Sequence, residues 1–431
     1  MKLRDYQEEL VNKAVQTFGS HGFVYLALET RTGKTPVSIM AAVEIYRKTG
    51  APEILFVTKK AIISSIADTY KKLCDDYPIA DVPFRVMSFD SLHKVTQLNG
   101  RIIIADEAHS FGSYPKPSRR ALMLYGLARG CPVIMLSATP TPESYSSIFW
   151  QLAAAHVDCE LISPYKNFYQ WAHEYVNIKK KRIGTGVYVN DYSDAKKDFI
   201  LPQFEPFLIT LTQEEAGFQQ TEIMETIVTV PMPEQIKTMV KRIKTDGVAY
   251  HDDIMIVAET AVARMSKTHQ LCSGTVIPQV SKTRNETGMG VIISRHKLAQ
   301  LETITMLYQK VAIFYKYVAE LKMLEEAYGD RLTDDYQVFE SETDRIFVGQ
   351  FISKREGIDL KSADVIVCMN IDFAWLSYAQ MINRMMSYTR TKKPKLIWLF
   401  TQGGIEERVL KAVKRKKNFT SSYYKRWKGV E

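Results

Sequence analysis

The stretch Phe23-Val24-Tyr25-Leu26-Ala27-Leu28, followed at once by Glu29-Thr30-Arg31-Thr32-Gly33-Lys34-Thr35 and then Pro36, decides how the chain is read. An apolar run of strand length, rich in β-branched and aromatic residues, ends in a short polar turn. Beyond the turn, Pro36–Arg47 carries apolar residues at helical spacing and opens on a proline, which a helix accepts in its first turn. Strand, Gly-Lys-Thr, helix is the context a phosphate-binding loop requires, because the free N–H groups of a helix N-terminus face an anion there. In that reading Thr32 and Gly33 line the loop, Lys34 reaches the β- and γ-phosphates, and the Thr35 hydroxyl binds Mg²⁺. The full pattern has another glycine five residues before Gly33. Leu28 stands there, so the motif alone is a weak signal.

Working outward, Glu53–Thr58, Arg101–Ala105 and Val133–Leu136 read as strands, with a helix over Ala61–Cys74. Alternating β and α units predict a parallel sheet with helices on both faces, whose ligands sit at the carboxyl ends of the strands. Two further motifs end such strands. Arg101-Ile-Ile-Ile-Ala-Asp106-Glu107-Ala108-His109 puts Asp106 where it can hold Mg²⁺ and Glu107 where it can act on an attacking water. Pro132-Val-Ile-Met-Leu-Ser137-Ala138-Thr139-Pro140 closes another strand with small polar residues. Each has a plain structural reading, as a helix start or a Ser/Thr turn. Their order is what makes the case.

The rest of the chain repeats the theme. Glu143–Asn177 is helical and aromatic, 178–206 reads as irregular and the best linker, and Lys310–Phe314, Arg345–Val348, Asp364–Cys368 and Lys395–Phe400 read as strands of a second α/β half. With 431 residues, 46% hydrophobic and 24% charged, the chain has room for two or three domains and excludes disordered and fibrous classes. No apolar run is long enough for a membrane span, and no apolar segment follows the N-terminal charges. The expected location is the cytoplasm, that of a bacterial host if the source is viral. The 5 cysteines form no C-x-x-C pair and read as buried small hydrophobes. The net charge of +9 is concentrated in Lys179-Lys180-Lys181-Arg182 and in Lys411–Lys428, where Phe419, Tyr423, Tyr424 and Trp427 interleave with the cations. Such stripes suit a polyanion.

Taken in order, these motifs resemble those of the superfamily 2 helicases, and within them the Swi/Snf-type translocases. Leu3-Arg4-Asp5-Tyr6-Gln7 is similar to that group's adenine-recognition element, with Gln7 the adenine reader. G-K-T, D-E-A-H and S-A-T-P correspond to motifs I, II and III, and Val57–Lys60 and Met87–Leu92 to motifs Ia and Ib. In the second half, Lys310–Phe314 is similar to motif IV, Arg355-Glu356-Gly357-Ile358-Asp359-Leu360 to motif V, and Gln380-Met-Ile-Asn383-Arg384 to motif VI.

The resemblance implies two RecA-like lobes with ATP and Mg²⁺ in the cleft between them. Residues 1–160 would form the first, 161–225 a helical and irregular connection, and 226–431 the second, with a helical insertion and a basic tail. It also implies that Gly357 and Asp359 face the nucleotide and that Arg384 is the arginine finger. Two departures stand out: Arg31 occupies a position where the family has glycine, and Ser387 the position of a second motif VI arginine, with Arg390 three residues further on. Arg31 is therefore counted among the phosphate-binding residues. The expected activity is ATP-driven movement on DNA, duplex ahead of single-stranded. The alternatives are a non-hydrolysing ATP-gated clamp and an RNA helicase, with RNA as the partner. No membrane partner is expected.

Overall fold

Period-2 alternation within short apolar runs splits the side chains of each strand between two cores, and this builds both halves of the protein. The computed structural model describes residues 1–95, 100–142, 144–182, 188–217, 223–278, 290–351, 360, 362–385 and 395–415, with 182, 376, 380 and 383–385 described through their backbone only. The chain divides into two units, Met1–Gln219 and Gln220–Glu431.

The first unit contains, in order, α1 (Asp5–His21), β1 (Phe23–Leu28), α2 (Lys34–Thr49), β2 (Ile54–Thr58), α3 (Ile63–Cys74), β3 (Phe84–Ser88), β4 (Ile102–Ala105), α4 (Arg119–Leu127), β5 (Val133–Leu136), α5 (Ile148–Ala154), α6 (Phe168–Tyr175), β6 (Lys179–Arg182), β7 (Tyr188–Asp191), α7 (Lys197–Phe204) and β8 (Leu208–Leu211). Its sheet runs β3-β2-β4-β5-β1-β8, and every pairing is parallel. Val24, Leu26, Ile104 and Ile134 pack on one face against α2. Tyr25, Val57, Ile103 and Met135 join the other face with Phe149, Phe168 and Trp171. Full burial of each such side chain contributes about 1.5–3 kcal/mol, and α2 is buried all round from Val37 to Val43, with its polar residues exposed only in the last turn.

The second unit contains β9 (Met224–Val230), α8 (Glu234–Thr245), β10 (Val248–His251), β11 (Ile254–Val257), α9 (Ala261–Cys272), β12 (Thr275–Val276), β13 (Val291–Ile292), α10 (Leu298–Leu307), β14 (Val311–Tyr315), α11 (Val318–Tyr328), β15 (Leu332–Thr333), α12 (Tyr336–Ser341), β16 (Ile346–Gln350), β17 (Val365–Cys368), α13 (Trp375–Met385), β18 (Lys395–Thr401) and α14 (Glu406–Lys414). Its sheet, β15-β16-β14-β17-β18-β9, is again wholly parallel. The protein is thus α/β, with two parallel-sheet lobes.

The described residues of the stretch 178–206 are more ordered than the sequence suggests. They form an antiparallel ribbon of β6 and β7, then α7, all within the first unit. Just beyond it, β8 pairs with β1 at the end of the first sheet, so much of the segment expected to connect the units completes the first one. Cys131, Cys272 and Cys368 are buried and Cys74 and Cys159 half-buried, all as free thiols. No helix among the described residues is long and apolar enough to cross a membrane.

Candidate active site

Because β5 lies between β4 and β1, three strand ends stand side by side: Asp106 after β4, Ser137 after β5 and the Glu29–Gly33 loop after β1. The loop is held by its own hydrogen bonds and by two neighbours. Thr32 Oγ1 donates to the Glu29 carbonyl at 2.7 Å, and α2 begins where Val37 N–H donates to the Gly33 carbonyl at 3.1 Å. The first N–H groups of α2 have no intrahelical acceptor and are available to an anion. Pro36 costs nothing there, since its missing N–H belongs to that unpaired first turn.

Gly33 has φ +91°, and a Cβ built on it would lie 2.0 Å from Gln7 Nε2. Only glycine fits. Arg31 has φ +68°, so the arginine takes up the left-handed conformation that glycine adopts readily. Gln7 is buried against this loop: its Nε2 donates to the Thr32 carbonyl at 3.2 Å, and its Oε1 accepts from the Arg4 N–H at 3.0 Å. Tyr6 Oη donates to the same Thr32 carbonyl at 3.0 Å. The residue expected to read adenine therefore also clamps the phosphate loop from outside.

The acid pair is deeply placed. Asp106 N–H extends the ladder by donating to the Val57 carbonyl at 3.0 Å. Thr58 Oγ1 donates to Asp106 Oδ2 at 2.8 Å, and Glu107 N–H to Oδ1 at 2.9 Å. Burial, helped by the negative Glu107, pushes the Asp106 carboxyl up to about 6, while Lys34 pulls it down. Burial pushes Glu107 upward too, but the hydrogen bond with His109 and the Lys34 charge outweigh it and hold this carboxyl below the ordinary range. His109 Nδ1 lies 3.1 Å from Glu107 Oε2 and 3.1 Å from Ser137 Oγ, so it joins the ends of β4 and β5. Glu107 has φ +47°. Among the described residues only four non-glycine positions have positive φ, and Arg31 and Glu107 are two of them. Such strain gathers where function imposes a geometry.

Mg²⁺ asks for hard oxygens and is usually held by one or two carboxylates together with substrate phosphates. No cluster of three or more His, Cys, Asp or Glu suited to a metal occurs among the described residues. Asp106 and Thr35 meet the lighter requirement. A buried carboxyl whose pKa is raised is also one that a cation would stabilise in its ionised form.

In the second unit, the strand read over Lys310–Phe314 is β14, at the centre of the sheet. Gly357, Asp359, Ser387 and Arg390 lie outside the described residues, as does the tail beyond 415. Arg384 falls on α13, but its side chain and that of Gln380 are likewise not described. The start of α13 is fixed by Asp372, which accepts from Ser377 Oγ at 2.5 Å and pairs with the half-buried Lys316 at 2.9 Å.

Sequence reasoning missed Gln213. It follows β8, and its N–H donates to the Glu29 carboxylate at 2.8 Å and its Nε2 to the Thr30 carbonyl at 2.9 Å, bracing the start of the loop while Gln7 holds Thr32. One signal was available: Thr212-Gln213-Glu214-Glu215 is a capping-box pattern, and Glu215 does accept from the Thr212 N–H at 2.7 Å.

Residues 1–82 match the family model described as "Type III restriction enzyme, res subunit". That span carries α1, the Glu29–Gly33 loop, α2 and α3. No curated protein matches the chain. Among solved structures the chain is similar to the Sulfolobus solfataricus SWI2/SNF2 ATPase core in complex with dsDNA, at 14% identity, with 98% of this chain and 93% of that chain covered and a TM-score of 0.42.

Proposed function

We propose that the chain is a superfamily 2, Swi/Snf-like ATPase that couples ATP hydrolysis to movement on DNA, with duplex DNA the preferred track. The observation that carries this reading is the convergence of Lys34 and the glycine-dependent loop on the ionised, strained Glu107 beside Asp106, at the ends of β1 and β4, the two strands that flank β5 in one parallel sheet.

In this proposal the α2 N-terminus, Arg31, Thr32, Gly33 and Lys34 hold the phosphates, and Gln7 reads the base. Asp106 and Thr35 would hold Mg²⁺, which supplies charge neutralisation at the phosphate oxygens. Glu107, ionised at neutral pH, orients the attacking water. The His109 hydrogen bond and the Lys34 charge favour that ionised form. His109 also touches Ser137, which links the end of β5 to that hydrogen bond. Gly357, Asp359 and Arg384 are assigned from the motif resemblance to the nucleotide and finger roles.

Steady-state ATP hydrolysis measured alone and with duplex DNA, single-stranded DNA and RNA tests the reading. Stimulation greatest with duplex DNA supports it. Stimulation by RNA alone would make the chain an RNA helicase, and DNA binding without turnover would make it a clamp.

A further inference from the structure

The ribbon of β6 and β7 does no packing work. Its root is firm: Val176 bridges Ala195, Asn177 N–H donates to the Asp194 carbonyl at 2.8 Å, and the buried Tyr192 sets its ring edge-on to Phe168 at 5.4 Å. Beyond that root the two strands pair only with each other. Lys179, Lys180, Lys181, Tyr188, Val189 and Asn190 are all exposed, so both faces of the ribbon meet solvent. A two-stranded ribbon with nothing covering either face is marginal by itself, and this one is held out from the unit by its stem.

Its charge is lopsided. Among the described residues, Lys179 is the one lysine of β6 in an ion pair, with Asp194 at 2.5 Å. The register pairs Lys179 with Asp191 and Lys181 with Val189 on one face. On the other it pairs Lys180 with Asn190 and Arg182 with Tyr188, and no acid stands at any of these four positions. Tyr188 is 59% exposed there, an aromatic ring left in water on the same face as Lys180 and Asn190.

We propose that this ribbon is a contact for the phosphodiester backbone of nucleic acid, with Lys180 and Lys181 neutralising phosphates and Tyr188 and Asn190 packing against the sugar–phosphate chain. Cations on both faces and no acid on one are complementary to a polyanion, and a two-stranded ribbon has the width a duplex major groove admits. The contact positions the duplex without reading its sequence. The inference rests on the nucleic-acid reading above and adds to it a surface separate from the loop and acid pair.

The test uses the full chain and a labelled DNA duplex, with anisotropy titrations across a NaCl series, for the wild type, Lys180→Gln/Lys181→Gln and Lys180→Glu/Lys181→Glu. Each lost phosphate contact lowers the slope of log K against log salt by about 0.9, so the glutamine variant should lose roughly 1–2 units of slope. The loss should be equal on two unrelated sequences, with ATP turnover in the absence of DNA and the thermal midpoint unchanged. The glutamate variant should bind more weakly still. An unchanged slope in a variant of a DNA-binding wild type overturns the ribbon proposal alone. A sequence-dependent loss overturns its backbone character. A wild type that binds no nucleic acid removes the functional reading and this inference together.

Discussion

Replacing Arg31 by glycine and by alanine separates what its backbone costs from what its side chain contributes. At φ +68° a non-glycine residue costs about 1–2 kcal/mol. Arg31→Gly relieves that but adds roughly 0.5–1 kcal/mol of chain entropy to the unfolded state, so the net gain in stability is about 1 kcal/mol or less. Arg31→Ala keeps the strained backbone and removes the side chain beyond Cβ, guanidinium included. A charge-assisted hydrogen bond to phosphate contributes about 1.5–3 kcal/mol, which is roughly 10- to 150-fold in affinity at 1.4 kcal/mol per tenfold. Both variants should therefore bind a fluorescent ATP analogue at least about tenfold more weakly. In urea unfolding the glycine variant should match or slightly exceed the wild type, and the alanine variant should not. A glycine variant that binds ATP as tightly as the wild type would refute the reasoning, because Arg31 would then only be enduring the loop's conformation.

Gln213→Ala leaves the Thr30 carbonyl without its 2.9 Å donor, a local loss of about 1–3 kcal/mol; hydrogen exchange over residues 29–33 should quicken and nucleotide affinity fall several-fold, and unchanged exchange would show the brace to be idle. Lys297 and Glu406 form a fully buried pair at 3.2 Å, with Lys297 also donating to the Met369 carbonyl at 2.7 Å. Lys297→Met strands the carboxylate and should cost about 3–5 kcal/mol; Lys297→Met/Glu406→Gln should recover most of it in urea melts, and no recovery would contradict the pairing. Burial and the Lys297 charge push His296 down to about 4, below the unfolded value of about 6.5. Between these pH values the unfolded chain holds a proton the folded chain lacks, so stability is lost as the pH drops from about 6.5 to about 4, by up to about 3 kcal/mol. His296→Gln should flatten that part of the stability–pH curve, and an equal slope in both proteins would assign it elsewhere.

Legibility in the sequence followed burial. β1 is read to the residue because both of its faces are covered, which makes its pattern a plain apolar run. Strands whose pairing, not composition, makes them strands escape notice. β6 is four consecutive cations, and β8 is a short run after Pro206 that becomes a strand by lying against β1. β9, at the end of the second sheet, is mostly exposed and alternates too loosely to stand out. At the site, Lys34, Thr35, Asp106 and Glu107 are readable because motif chemistry is local. The Gln213 contact spans 184 positions, and the capping pattern at Thr212–Glu215 marks a turn there without revealing its partner. Arg31 was visible as a departure from glycine, but only the backbone shows that it adopts the conformation glycine would have taken.

Glu107→Gln tests the central claim most directly, because the carboxamide keeps the shape of the side chain while removing the charge that orients water. ATP binding by the variant, followed with a fluorescent analogue and Mg²⁺, should stay near the wild-type value. DNA-stimulated hydrolysis should drop by roughly 10²–10⁴, the range for a lost acid–base group. Hydrolysis at the wild-type rate in a variant that binds ATP normally would contradict the account.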